Sequence, residues 1–126
     1  MIYVHVPFCR SFCTYCDFYS EVASPCRKAE DTLSQESLFE RYADALTAEV
    51  RTRADEITDT CSSNGVKTIY IGGGTPSVLP LGVLRRIFDV LKGAGFTGGP
   101  GEFTVEVNPE DIVEKGVPYV EGLLEL

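Results

Sequence analysis

The chain has no uninterrupted run of about 18 apolar residues, so nothing in it reads as a membrane-spanning helix. It also lacks a basic segment followed by an apolar stretch near its start, and no signal peptide is read there. It is short of positive charge: 11 Lys and Arg stand against 19 Asp and Glu, a formal charge of −8 at pH 7. A nucleic-acid or anionic-membrane partner held by bulk charge is therefore disfavoured. No low-complexity segment occurs. The five cysteines are an odd number and are not spread as in a secreted disulfide scaffold. Three of them, Cys9, Cys13 and Cys16, crowd into eight residues, while Cys26 and Cys61 stand alone and read as incidental thiols in a reducing cytoplasm. What remains is an ordinary globular composition, 44% hydrophobic and 24% charged, in 126 residues, the size of one folding unit.

The hydrophobic pattern alternates between two periods. Residues 2 to 6 (Ile-Tyr-Val-His-Val) read as a strand stopped by Pro7. Residues 8 to 20 read as a loop carrying the cysteines and several aromatics, and polar residues 21 to 36 as further loop. From about 38 to 61, Phe39, Tyr42, Leu46, Val50, Ile57 and Cys61 recur at helical steps on one face, and Asn64-Gly65 stops the helix. Residues 66 to 71 read as a second strand, followed by a turn, Gly72-Gly73-Gly74-Thr75-Pro76-Ser77. Pro80 suits the first turn of a second helix, with Leu84, Ile87, Phe88 and Leu91 as its stripe and Gly93 and Gly95 at its end. Residues 102 to 107 alternate strictly as a third strand. The tail from Asp111 to Leu126 reads as a helix broken at Gly116 and Pro118.

Strands joined by helices imply parallel pairing and an α/β architecture with right-handed crossovers. The strands carry one apolar face (Ile2, Val4, Val6; Ile69, Ile71; Phe103, Val105, Val107) and one mixed face (Tyr3, His5; Thr68, Tyr70; Thr104, Glu106, Asn108). That suits helices on one side and a ligand on the other better than a sheet covered on both faces.

The segment Cys9-Arg10-Ser11-Phe12-Cys13-Thr14-Tyr15-Cys16 has C-x3-C-x2-C spacing. Three thiolates in one short loop can converge on a soft metal centre. A structural zinc site wants four closed ligands, which here would need Cys26 or His5 as the fourth. A [4Fe-4S] cube normally takes four cysteines, and with three one iron stays open. The spacing resembles the signature of the radical S-adenosylmethionine (SAM) family. The resemblance implies that SAM occupies the open iron and that an electron from the reduced cluster cleaves its sulfonium, the radical chemistry belonging to the cofactors.

Two further segments extend the resemblance. Gly72-Gly73-Gly74-Thr75-Pro76 after the second strand is similar to the turn that meets the SAM amino group in that family, with Thr75-Pro76 where many members have Glu. Together with Tyr3-Val4-His5-Val6-Pro7-Phe8-Cys9 and Glu106-Val107-Asn108-Pro109, it resembles the oxygen-independent coproporphyrinogen III oxidase branch, which includes HemW-type haem chaperones. By this resemblance Cys9, Cys13 and Cys16 ligate the cluster. Tyr3 lies near SAM, Tyr15 against its adenine, Gly73, Gly74 and Thr75 at its amino group, and Glu106 reaches it from the third strand. His5 reads equally as a structural histidine. The coproporphyrinogen dehydrogenase carries a fourth cysteine two residues after the third; Phe18 holds that position here, which points to the HemW type. That type implies haem as a ligand of the full-length protein and a haem-accepting protein as partner.

The family core has six βα units, and residues 1–126 supply about three. The expectation is a partial (βα) radical SAM barrel, the N-terminal half of a core domain. The rest of the barrel and a C-terminal domain would be absent, leaving a piece inactive alone and an unpaired edge strand prone to aggregation. A small zinc-binding module without enzymatic role is the alternative from another class.

Overall fold

In a computed structural model of the chain, residues 1–23, 30–64, 68–95 and 101–126 are described, with side chains at all of these except 30–35 and 60–64. Cys26, the Cys61 side chain, Gly65 and the expected start of the second strand at Val66 lie outside the described residues.

The chain is α/β, and its described residues form parallel strands and four α-helices. Strands β1 (Ile2–Val6), β4 (Thr68–Gly73) and β5 (Glu102–Val105) form a parallel sheet in the order β1-β4-β5. A second, two-stranded parallel sheet pairs β2 (Phe8–Cys9) with β3 (Glu21–Val22). Helices α1 (Glu30–Thr52) and α2 (Ala54–Asn64) connect β3 to β4, α3 (Leu81–Gly93) connects β4 to β5, and α4 (Pro109–Leu124) follows β5.

Registers Ile2–Ile69–Phe103 and Val4–Ile71–Val105 place one apolar row above another. Val4, Val6, Ile69 and Ile71 are buried on this face beneath Phe39, Ala43 and Val50 of α1 and Val83, Leu84, Ile87, Phe88 and Leu91 of α3. The Phe88 and Phe103 rings lie 4.4 Å apart. Each fully buried Ile or Leu contributes about 1.5–3 kcal/mol by leaving water, so the amphipathic helices fix which face of the sheet stays open. Tyr3, Tyr70 and Thr104 share one row on that other face.

Several expectations need correction, among them the loop read over 8 to 20, whose first two residues, Phe8–Cys9, form β2, and the second strand, which runs on to Gly73. The loop read over 21 to 36 contains β3 and the first turns of α1, which begins at Glu30. This start is polar and has no apolar period to read. The helix expected over 38 to 61 is divided at Arg53, although Arg53 N still donates to Glu49 O at 3.0 Å and Ile57 N to Arg53 O at 2.9 Å. The third strand stops at Val105, and Val107, expected on the apolar face, is exposed. The turn after β4 contains a short 3-10 helix, Pro76–Val78.

Other local readings hold. The α3 stripe is buried as expected, with Val83 added. Asn108 caps α4, its side chain accepting from Glu110 N at 2.9 Å, with Pro109 in the first turn. Gly116, at φ 71° and ψ −171°, kinks α4 two residues before Pro118.

Candidate functional site

The site lies where the parallel strands end. Pairing of β2 with β3 closes the cysteine loop at its base: Glu21 N donates to Pro7 O at 2.6 Å and Ala23 N to Cys9 O at 2.8 Å. Cys9, on β2, is partly buried, while Cys13 and Cys16 are exposed; all three are free thiols. Within the loop Cys16 N donates to Cys13 O at 3.3 Å.

The glycine turn docks directly onto this loop. Gly74 N donates to Val6 O at 2.8 Å and Thr75 N to Phe8 O at 2.6 Å. The Thr75 hydroxyl lies 3.8 Å from Cys9 Sγ. A Cβ on Gly74 would stand 2.5 Å from the Phe8 carbonyl oxygen and 2.9 Å from Cys9 Sγ, so only glycine permits this approach. Gly73 has φ +113°, a conformation that disfavours side chains.

Glu106, just beyond β5, is held from two sides. Its Oε2 accepts from Gly73 N at 3.2 Å and its Oε1 from the Tyr70 hydroxyl at 2.5 Å. That hydrogen bond raises the Tyr70 hydroxyl above the usual tyrosine value. Contact with the Cys13 thiol does the same to Tyr15.

An open groove of about 500 Å³ gathers these residues. It is bordered by Cys9, Cys13, Cys16 and Tyr15 from the loop, Gly73, Gly74 and Thr75 from the turn, and Glu106 after β5, with Phe18 at its edge. Of the residues that the resemblance assigns to the cluster or to SAM, Tyr3 alone does not line it, and His5 lies outside it too. Tyr3 stacks on Tyr70 at 6.0 Å and its hydroxyl lies 3.2 Å from His5 Nδ1. His5 Nε2 is 2.9 Å from the Tyr19 carbonyl, which makes Nε2 the donor and leaves Nδ1 to accept from Tyr3. The ring thus joins β1 to the end of the cysteine loop, as the structural reading of His5 expects.

The Radical SAM superfamily profile matches residues 3–121. The chain belongs to that superfamily. Among relatives, an anaerobilin synthase of Escherichia coli O157:H7 is 36% identical over 92 residues, 73% of this chain and 18% of that protein. The haem chaperone HemW of Bacillus subtilis is 32% identical over 114 residues, 87% of this chain and 25% of that one. An oxygen-independent coproporphyrinogen III oxidase of Salmonella typhimurium is 31% identical over 111 residues, 88% of this chain and 21% of that one. The chain thus spans about a quarter or less of the length of these relatives. No solved structure matches it significantly. No helix among the described residues is long and apolar enough to cross a membrane.

Membership in the radical SAM superfamily implies a [4Fe-4S] cluster and SAM, and the donor set can be tested against them. Among the described residues, no three His, Cys, Asp or Glu side chains come together around a single metal ion. The expected convergence of the three thiols therefore takes another form: Cys9 is fixed on β2 beneath Thr75, Cys13 and Cys16 sit on the exposed loop, and all three border one groove. A cubane takes one thiolate at each of several irons, whereas a structural zinc needs its ligands around one point. Three free thiols and the side-chain-free backbone at Gly74 border one groove, a donor set whose chemistry suits a soft iron–sulfur centre.

Sequence reasoning missed Tyr70, Arg10, Ser77 and Asp111. Tyr70 was legible from strand alternation, which puts it on the face of Glu106. The other three left no periodic signal.

Proposed function

We propose that Cys9, Cys13 and Cys16 hold a [4Fe-4S] cluster, that Tyr15, Gly73, Gly74, Thr75 and Glu106 bind SAM, and that the chain forms the first portion of the core of a cytoplasmic, HemW-like haem chaperone. The observation that carries this reading is the single groove into which three motifs, separated by up to 97 residues between Cys9 and Glu106, bring their functional side chains. When bound, the reduced cluster supplies the electron that cleaves the SAM sulfonium. The chain's own residues bind and orient. Glu106 offers a carboxylate to an ammonium group, and its anchoring by Tyr70 and Gly73 keeps it ordered before a ligand arrives. The glycine turn admits a ligand against backbone, and the exposed Tyr15 offers a ring for stacking on a base. Tyr3 acts at one remove, through its stacking on Tyr70.

Phe18 favours the HemW type over the coproporphyrinogen dehydrogenase. It borders the groove at the position where the resemblance places the dehydrogenase's fourth cysteine, and it offers a ring instead of a thiolate. Free thiols at the groove need a reducing compartment, which supports the cytoplasm. Haem and a haem-accepting protein are the proposed ligand and partner of the whole protein.

Anaerobic reconstitution with iron and sulfide, followed by EPR of the reduced protein with and without SAM, tests the site. A signal that shifts with SAM and disappears in Cys9→Ala, Cys13→Ala and Cys16→Ala is expected. Bound zinc without acid-labile sulfide would overturn the reading in favour of a zinc module. Absorbance titration with haem tests the chaperone assignment, and no haem binding by a full-length relative of the same sequence type would remove it.

A further inference from the structure

Behind the groove lies a buried polar centre that the cofactor reading does not use. Asp111, in the first turn of α4, has no solvent exposure. Its Oδ2 accepts from the Ser77 hydroxyl at 2.6 Å, and its Oδ1 pairs with Arg10 Nε. Ser77 Oγ in turn accepts from Asn108 N at 2.8 Å. Arg10 also reaches Glu114 Oε2 at 2.5 Å, one turn along α4. The half-buried Lys115 ammonium donates to the carbonyls of Ser77, Val78 and Leu79, closing the base of the same centre.

The participants come from three separate segments. Arg10 directly follows Cys9. Ser77 directly follows Gly-Gly-Gly-Thr-Pro. Asn108 and Asp111 follow Glu106. Three segments that border the groove on one side are therefore tied together on the other.

We propose that Asp111 is a positioning residue that clamps the cysteine loop through Arg10 and thereby sets the place of the Cys9 sulfur. This rests on the cluster-binding reading of the same loop. The physical reason is that a buried carboxylate must be paired: removing its partner leaves an uncompensated charge, so the guanidinium is held firmly. Arg10 is attached to Cys9 by one peptide bond, and the Cys16–Cys13 backbone hydrogen bond stays within the loop and does not tie it to the helix. Ser77, bound to the same carboxylate, carries the constraint to the turn that packs on Cys9 Sγ. The Glu114 arm is surface-exposed and screened, and it adds little.

The test compares Asp111→Asn, Arg10→Met, Arg10→Lys and Glu114→Gln with the unaltered protein. Asn keeps an acceptor for Ser77 and removes the charge that holds Arg10. In the cluster-free reduced protein, alkylation by iodoacetamide is followed at each cysteine by peptide mapping. Asp111→Asn and Arg10→Met are expected to raise the Cys9 rate relative to Cys13 by roughly tenfold. Arg10→Lys restores most of the protection, and Glu114→Gln changes nothing. After reconstitution the first two variants shift the EPR spectrum of the reduced cluster and lose iron faster, with Arg10→Lys near the unaltered protein. A lower melting temperature in Asp111→Asn with an unchanged ratio of Cys9 to Cys13 alkylation would overturn the clamp. Should Asp111→Asn fail to fold, an unchanged ratio in Arg10→Met would overturn it equally. If the unaltered protein takes up no cluster, the function proposed above fails, while the alkylation ratios still decide the clamp.

Discussion

The Tyr70 hydroxyl and Glu106 carboxylate, 36 residues apart, meet at 2.5 Å across neighbouring parallel strands. Tyr70 pairs with Thr104 in the sheet register, and Glu106 stands two residues further on the same open face. One oxygen of Glu106 is thereby aimed by a side chain and the other by the Gly73 amide. Tyr70→Phe removes one of these anchors and leaves the ring stacked on Tyr3. SAM affinity measured by calorimetry should fall roughly three- to tenfold, because a hydrogen bond to a charged group is lost at an exposed site. The melting temperature should hardly move. Unchanged affinity would mean that Tyr70 does not position Glu106.

Gly74→Ala drives a Cβ into the Phe8 carbonyl and the Cys9 sulfur. Because the obstacle is largely backbone, the expected loss is about 1–3 kcal/mol in urea unfolding. Gly82, exposed in the first turn of α3, has open space around it. Gly82→Ala should be neutral or stabilising by up to about 1 kcal/mol from helix propensity. A similar cost at both positions would refute the packing account.

Ile71 is fully buried between Val4 and Val105 in the central strand. Truncation to Ala should cost about 2–5 kcal/mol, the range for emptying a rigid core site. Equilibrium unfolding by circular dichroism measures it directly. A loss below 1 kcal/mol, on the same scale, would show that the sheet's apolar face is not the core.

Tyr119 donates to the carbonyls of Ser77 and Leu79 at 3.3 and 3.1 Å, and burial raises its hydroxyl from 10.0 to about 12. A group with a raised folded pKa stabilises fully below its unfolded value, so the contribution is present below pH 10 and is lost as pH climbs toward 12. Lys115, packed on the ring at 4.3 Å, works the other way because burial lowers it from 10.5. The informative quantity is therefore the difference between the unaltered protein and Tyr119→Phe. That difference in thermal stability should shrink between pH 10 and 12, and a constant difference would contradict it.

Much of the framework was legible because it rests on local periodicity. Strand β1, the α3 stripe, the kink at Gly116 and the two-faced strands all follow from spacing two, spacing three to four, or a single glycine. The groove residues were legible for another reason: the cysteine spacing, the glycine run and Glu106-Val107-Asn108-Pro109 together carry the family resemblance that assigns them. What stayed hidden depends on contacts between distant segments. The pairing of Phe8–Cys9 with Glu21–Val22 occupies only two residues on each strand, too few to show alternation. The start of α1 at Glu30 is polar, so nothing marks a face. Asp111 looks like an ordinary acidic residue in a helix's first turn, and only the fold shows that it is buried against Arg10.

The pairing of Arg10 with Asp111 also orders events during synthesis. Asp111 lies 101 residues after Arg10, so the cysteine loop is synthesised well before the carboxylate that pairs with it. At ordinary elongation rates that gap is about 5–20 s. Throughout it Arg10 has no Asp111 to pair with, and the contact that ties the cysteine loop to α4 is still to form. The cysteine loop and the helix that holds it therefore meet only after β4, α3 and β5 have been made between them.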